Sequence, residues 1–144
     1  MAELAILPAI FWGIIVGLYE LFAIHADESF AGARWLTHGV QAAVFSFVFI
    51  FVVMNVPWAL SQIPQLESIP AASYANYLPF RIVIGLIAMV KIQAASALVR
   101  GGRLAARGIG EHFIHTAIAG LLIIFSPEIM SFLWPPIANI LPFG

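Results

Sequence analysis

Four apolar runs, each close to the length needed to cross a bilayer, constrain what this chain can fold into. A transmembrane helix takes about 20 residues to traverse roughly 30 Å of hydrocarbon. The runs cover residues 6–25, 36–60, 79–99 and 109–127. Pro8 and Pro79 fall in the first turns of the first and third runs, where a missing N–H does no harm. Pro57 lies near the end of the second, and Pro127 interrupts the fourth. Residues 128–144 stay apolar but contain Pro135, Pro136 and Pro142. They read as a short helix and tail near the membrane interface, too punctuated to span again. The expectation is an all-α membrane protein: one transmembrane domain over residues 1–144, with four transmembrane helices and a Pro-rich interfacial C-terminal segment.

Composition leads to the same class. Hydrophobic residues make up 62% of the 144 and charged residues 9%, with a mean hydropathy of +1.02. An ordinary soluble domain is about 25% charged. The net charge of −1, with six Lys+Arg spread along the chain, leaves no basic stripe for nucleic acid. The absence of cysteine removes disulfides, iron–sulfur clusters and thiol catalysis. The opening Met-Ala-Glu-Leu-Ala-Ile lacks the basic region of a signal peptide and reads as mature sequence. Gly101-Gly102 and Gly108-x-Gly110 follow no predicted strand, so they read as a turn rather than a phosphate loop. No serine has a nucleophile-elbow context. Enzymatic activity is not expected.

Loop charge suggests an orientation. The first loop, 26–35, holds Asp27, Glu28 and Arg34; the second, 61–77, has no Lys or Arg; the third has Arg100, Arg103 and Arg107. Basic residues gather on the cytoplasmic side. That rule places the first and third loops inside and both termini outside. Trp12, Trp58, Tyr74, Tyr77 and Trp134 then fall near outer ends, as an aromatic belt would.

The halves echo one another. Leu7-Pro8 and Leu78-Pro79 each open a run, and twelve residues after each proline comes a charge, Glu20 or Lys91. His38-x-x-Gln41 opens the second run and His112-x-x-His115 the fourth. Two parallel two-helix repeats are a known transporter plan. Coincidence between two apolar hairpins would look similar.

Glu20 and Lys91 are the sharpest chemical feature. Lys91 is about 18 Å of helical rise from Pro79 and about 13 Å from Arg100, too deep for its stem to bring the ammonium fully into water. Helical spacing groups Gly13, Gly17 and Glu20, and likewise Ile84, Ala88, Lys91 and Ala95. Charges at such depth face the bundle interior and find partners. The pair therefore reads either as steps in an ion or proton path or as a static lock on the fold. On the pairing reading, Glu20→Gln strands Lys91 and destabilises the bundle. Arg81 and Glu128 form a candidate second ion pair toward the outer face, although Arg81 is close enough to the end of its helix to reach headgroups.

The histidines allow a third chemistry. His112 and His115 share a face, Glu111 precedes them, and His38 with Gln41 occupies the matching level of the second helix. Imidazoles from facing helices can ligate haem iron or a transition metal. Glu-His-x-x-His appears once, however, whereas bundle metal sites use Glu-x-x-His from two helices. Interfacial histidines bonded to headgroups, or a pH-sensing role, explain the same pattern.

The functional expectation is a small channel or transporter in the lipid bilayer. Glu20, Lys91, Gln41, Gln93, His38, His112 and His115 would line its polar path, in a homo-oligomer because one copy encloses little space. A non-catalytic subunit of a larger membrane complex and a haem- or metal-binding redox protein using His38, His112 and His115 are the alternatives.

Overall fold

The computed structural model describes residues 2–26, 34–67, 69, 74–100 and 109–141. The loops that hold Asp27, Glu28, Arg103 and Arg107 lie outside the described residues. Among the described residues seven helices follow in order: α1 (Ile6–Ala26), α2 (Arg34–Met54), α3 (Val56–Ser61), α4 (Pro64–Glu67), α5 (Leu78–Arg100), α6 (Ile109–Ile124) and α7 (Ser126–Ala138). No strand occurs among the described residues. Three helices are long and apolar enough to cross a membrane, Ile6–Ala26, Trp35–Met54 and Leu78–Ala95. The α6–α7 pair makes a fourth if its two bent halves count as one span.

Proline chemistry sets the two breaks. Asn55 (φ −108, ψ 13) and Phe125 (φ −93, ψ 11) each stand two residues ahead of a proline, and a new helix restarts with that proline in its first turn. A proline cannot donate to the carbonyl four residues back, so the ladder fails there. Ser126 covers the loss at the second break, donating its hydroxyl to Ile123 O at 2.8 Å. Asn55 holds the first, with Nδ2 donating to Phe51 O at 2.8 Å and Oδ1 accepting from Ala5 N at 2.7 Å.

These breaks revise the expected boundaries. The second run is helical only to Met54 before α3 begins, and the fourth bends by 64° after Ile124. Beyond the bend the chain is more regular than its prolines suggest, because α7 runs through Pro135 and Pro136 to Ala138. Both prolines sit in its last turn, where each forfeits one hydrogen bond to the carbonyl four residues back and the helix ends within three residues.

The long helices run up and down. α1 packs most extensively on α2, α2 on α5, and α5 on α6, while α6 closes the ring against α1 and α2. Trp12 of α1, Val53 of α2, Ala88 of α5, Ile123 of α6 and Met130 of α7 share one core cluster. Trp12 therefore belongs to the interior rather than to an interfacial belt; its indole N–H donates to Leu122 O at 3.1 Å. Gly85 and Gly120 let α5 and α6 approach closely. A methyl on Gly85 would collide with the Ile124 side chain, and one on Gly120 would stand 2.5 Å from Met89. Small residues serve this purpose where no water drives helices together.

Candidate functional site

The register of the α1–α2 pair places the buried acid. A Cβ on Gly17 would lie 3.4 Å from the Ala43 Cβ, and one on Gly39 would lie 2.7 Å from Leu21 Cδ1. The helices are antiparallel with position 17 beside 43 and 21 beside 39. That puts Glu20 and His38 on one level of the bundle, and both are fully buried, at 0% exposure.

Apolar clusters bracket this level. One cluster joins Ile24, Ala42 and Ile92; toward the end opposite the α1–α2 loop lie Val16, Ile50, Ala88 and Ile123. Beside Ile92, Gln93 accepts a hydrogen bond from the Thr116 hydroxyl at 3.3 Å. α1, α2, α5 and α6 thus each bring a polar side chain to neighbouring levels: Glu20, His38, Gln93 and Thr116. Ser46 lies on the buried face of α2, about 12 Å of rise beyond His38.

The Glu20 carboxyl makes no direct hydrogen bond among the described residues. Neither carboxylate oxygen has a hydrogen-bond partner among the described residues, and the same holds for Ser46 Oγ. A neutral polar group left this way costs about 1–3 kcal/mol, and an ionised one more.

Lys91 shares the level of this site without sharing its face. It is exposed, and no ion pair joins it to Glu20 among the described residues. The buried stripe of α5 is Arg81, Gly85, Ala88 and Ile92. Lys91 precedes Ile92 by one position and is therefore turned about 100° around the helix from it. The face expected from Ile84, Ala88, Lys91 and Ala95 is offset from the one the bundle buries.

The remaining expected residues divide. Gln41 is exposed, Gln93 is half-buried against Thr116, and His115 is half-buried on α6. The side chains of Glu111 and His112 lie outside the described residues. Among the described residues no three His, Asp or Glu side chains come close enough to hold a metal ion. The haem or metal reading depends on His112 and so falls outside what is described.

Arg81 and Glu128 do come together. Arg81 Nη1 reaches Glu128 Oε2, and Nη2 reaches Oε1, both at 2.6 Å. Nη1 also donates to Ile124 O at 3.2 Å, at the α6–α7 bend. Nη2 lies 3.5 Å from Ala75 O, in a turn whose Ala75, Asn76 and Tyr77 have φ of 44, 56 and 62. Three successive left-handed residues are costly for L-amino acids. They lead the chain directly into α5.

Two of the buried polar groups were missed in the sequence. Ser46 carried a signal, since it stands eight residues from His38 on one face of an otherwise apolar helix. Thr116 stands beside His115, whose imidazole drew the attention.

Comparison with protein-family models, curated proteins and solved structures finds no match to this chain. The functional argument therefore rests on the residues.

Proposed function

We propose that the chain is a small membrane transporter that moves protons, with Glu20 as the proton-binding group. One observation carries this reading: Glu20 is fully buried, and both of its oxygens lack a hydrogen-bond partner among the described residues. No ion pair reaches Glu20 among the described residues. The neutral acid is the form such an interior holds, and it gives up its proton when water or opposite charge gains access. A buried carboxyl that changes charge with access is how pumps and transporters relay protons. His38 is the next group on the same level; Ser46, about 12 Å of rise farther along α2, lies beyond a direct hop, so the path between them runs through water.

The arrangement in the bilayer belongs to the same proposal. α1, α2 and α5 cross, α6 completes a fourth crossing, and α7 turns along the outer interface after the 64° bend. The Arg100–Arg107 loop faces the cytoplasm and both ends of the chain face out. The two hairpins are parallel repeats; the matched breaks at Asn55 and Phe125, each two residues before a proline, support this.

The test is proton flux into liposomes that contain the purified protein and a trapped pH dye. Wild type is expected to dissipate an imposed pH gradient, and Glu20→Gln to abolish that flux while helical content stays unchanged. Wild-type flux from a folded Glu20→Gln rejects the reading. The alternative, a non-catalytic subunit of a larger membrane complex, is favoured by a different observation, the exposure of Lys91.

A further inference from the structure

Lys91 is the only lysine in the chain, and it stands exposed in the middle of an apolar helix. Around it on the same side of α5, Val83 is 56% exposed, Leu86 52%, Ile87 46% and Val90 67%. A face this apolar suits hydrocarbon; an ammonium at its edge does not. Insertion scales put the penalty for a lysine at the middle of a spanning helix at about 2.5–3.5 kcal/mol, and such residues normally find partners. Arg100 marks the nearer end of the helix, about 13 Å away along the axis, beyond full reach of a lysine stem.

The chain itself has no acid to offer. Glu20 is buried in the interior, Glu128 is held by Arg81, and Glu3 precedes α1. Asp27, Glu28, Glu67 and Glu111 stand at the ends of the apolar runs rather than within them. A second copy packed symmetrically through this face would set lysine against lysine. A groove of about 810 Å³ runs between α5 and α6 along the far flank of this exposed face, lined by Leu86, Val90 and Ala94 and by Phe113 but not by Lys91.

We infer that the outer face of α5 docks a transmembrane helix of a different protein, one that presents an aspartate or glutamate near mid-membrane to Lys91. Apolar contacts with exposed residues such as Val83 and Ile87 supply the surface, and the carboxylate supplies the specificity, since few helices carry an acid at that depth. The inference rests on a membrane location and is independent of the role given to Glu20.

The probes are two single-span Leu/Ala peptides, one with aspartate at its centre and one with leucine there. Each is reconstituted with the donor-labelled protein in phosphatidylcholine vesicles, and association is read by energy transfer. Half-saturation by the aspartate peptide is expected at about tenfold lower peptide-to-lipid ratio, the scale of one strong interhelical polar contact. Lys91→Met should close that gap and leave the leucine-peptide curve in place. Equal curves in wild type, or a gap that survives Lys91→Met, overturn the inference. A second measurement stands apart from peptide binding. In peptide-free vesicles Lys91 should resist a membrane-impermeant amine reagent that modifies a lysine placed on the exposed Gln62 (Gln62→Lys). Equal modification of the two would put the ammonium in water and remove the need for a partner.

Discussion

Arg81 and Glu128 meet through two parallel contacts of 2.6 Å, although 47 residues separate them in sequence. The arginine is buried while the carboxylate side chain keeps 46% of its surface exposed. The pair ties the start of α5 to α7 just past the bend, and the same guanidinium also grips Ile124 O at the end of α6.

Replacing only the acid should therefore be worse than replacing both partners. Glu128→Gln leaves a buried guanidinium without its counter-charge, and thermal unfolding in detergent should register a loss of about 1–2 kcal/mol, allowing for the exposed carboxylate. Arg81→Leu combined with Glu128→Leu should recover most of it. A double variant that melts no higher than Glu128→Gln would count against the stranded charge as the cause.

Glu20 leads to the opposite expectation. Its carboxyl has no hydrogen-bond partner among the described residues, so Glu20→Leu removes a buried unsatisfied group of similar volume. Melting should rise, by about 1–3 kcal/mol in stability. This reverses what pairing with Lys91 would imply, because a stranded lysine would lower the melting temperature instead.

Gly85 lies where α5 and α6 touch most tightly. Gly85→Val forces a branched side chain against Ile124, and overpacking of this kind costs about 1–3 kcal/mol. Gly85→Val paired with Ile124→Ala should regain stability relative to the single variant. Without that recovery, the close approach is not what the glycine provides.

Orientation can be read independently of any flux. A reporter fused after Gly144 should be active only outside the cytoplasm, and one inserted between Gly101 and Gly102 only inside. The reverse pattern would invert the assignment made from the arginine-rich loop.

The helical class was legible because hydrocarbon thickness sets a length that apolar runs such as 79–99 either reach or miss. The Arg81–Glu128 pair was legible for a related reason: each charge stands one or two residues past a proline that opens a helix, so both fall near the same end of the bundle. The facing of Lys91 was not legible. One position along a helix turns a side chain by about 100°, and a stripe of small residues does not anchor the wheel until the neighbouring helices are known. Pro57 and Pro127 announced the two breaks but not their geometry, because the bend depends on which hydroxyl or amide takes up the freed carbonyl. Ser126 does so at the second break, bonding Ile123 O, whereas Asn55 Nδ2 bonds Phe51 O rather than the Val53 O that Pro57 frees.

The ion pair also imposes an order on biogenesis. Arg81 leaves the ribosome well before Glu128, so the nascent chain holds an uncompensated guanidinium until α7 is made. A message truncated anywhere between the two yields a product whose arginine never meets its acid. α7 is therefore the element that completes the charge balance at the start of α5.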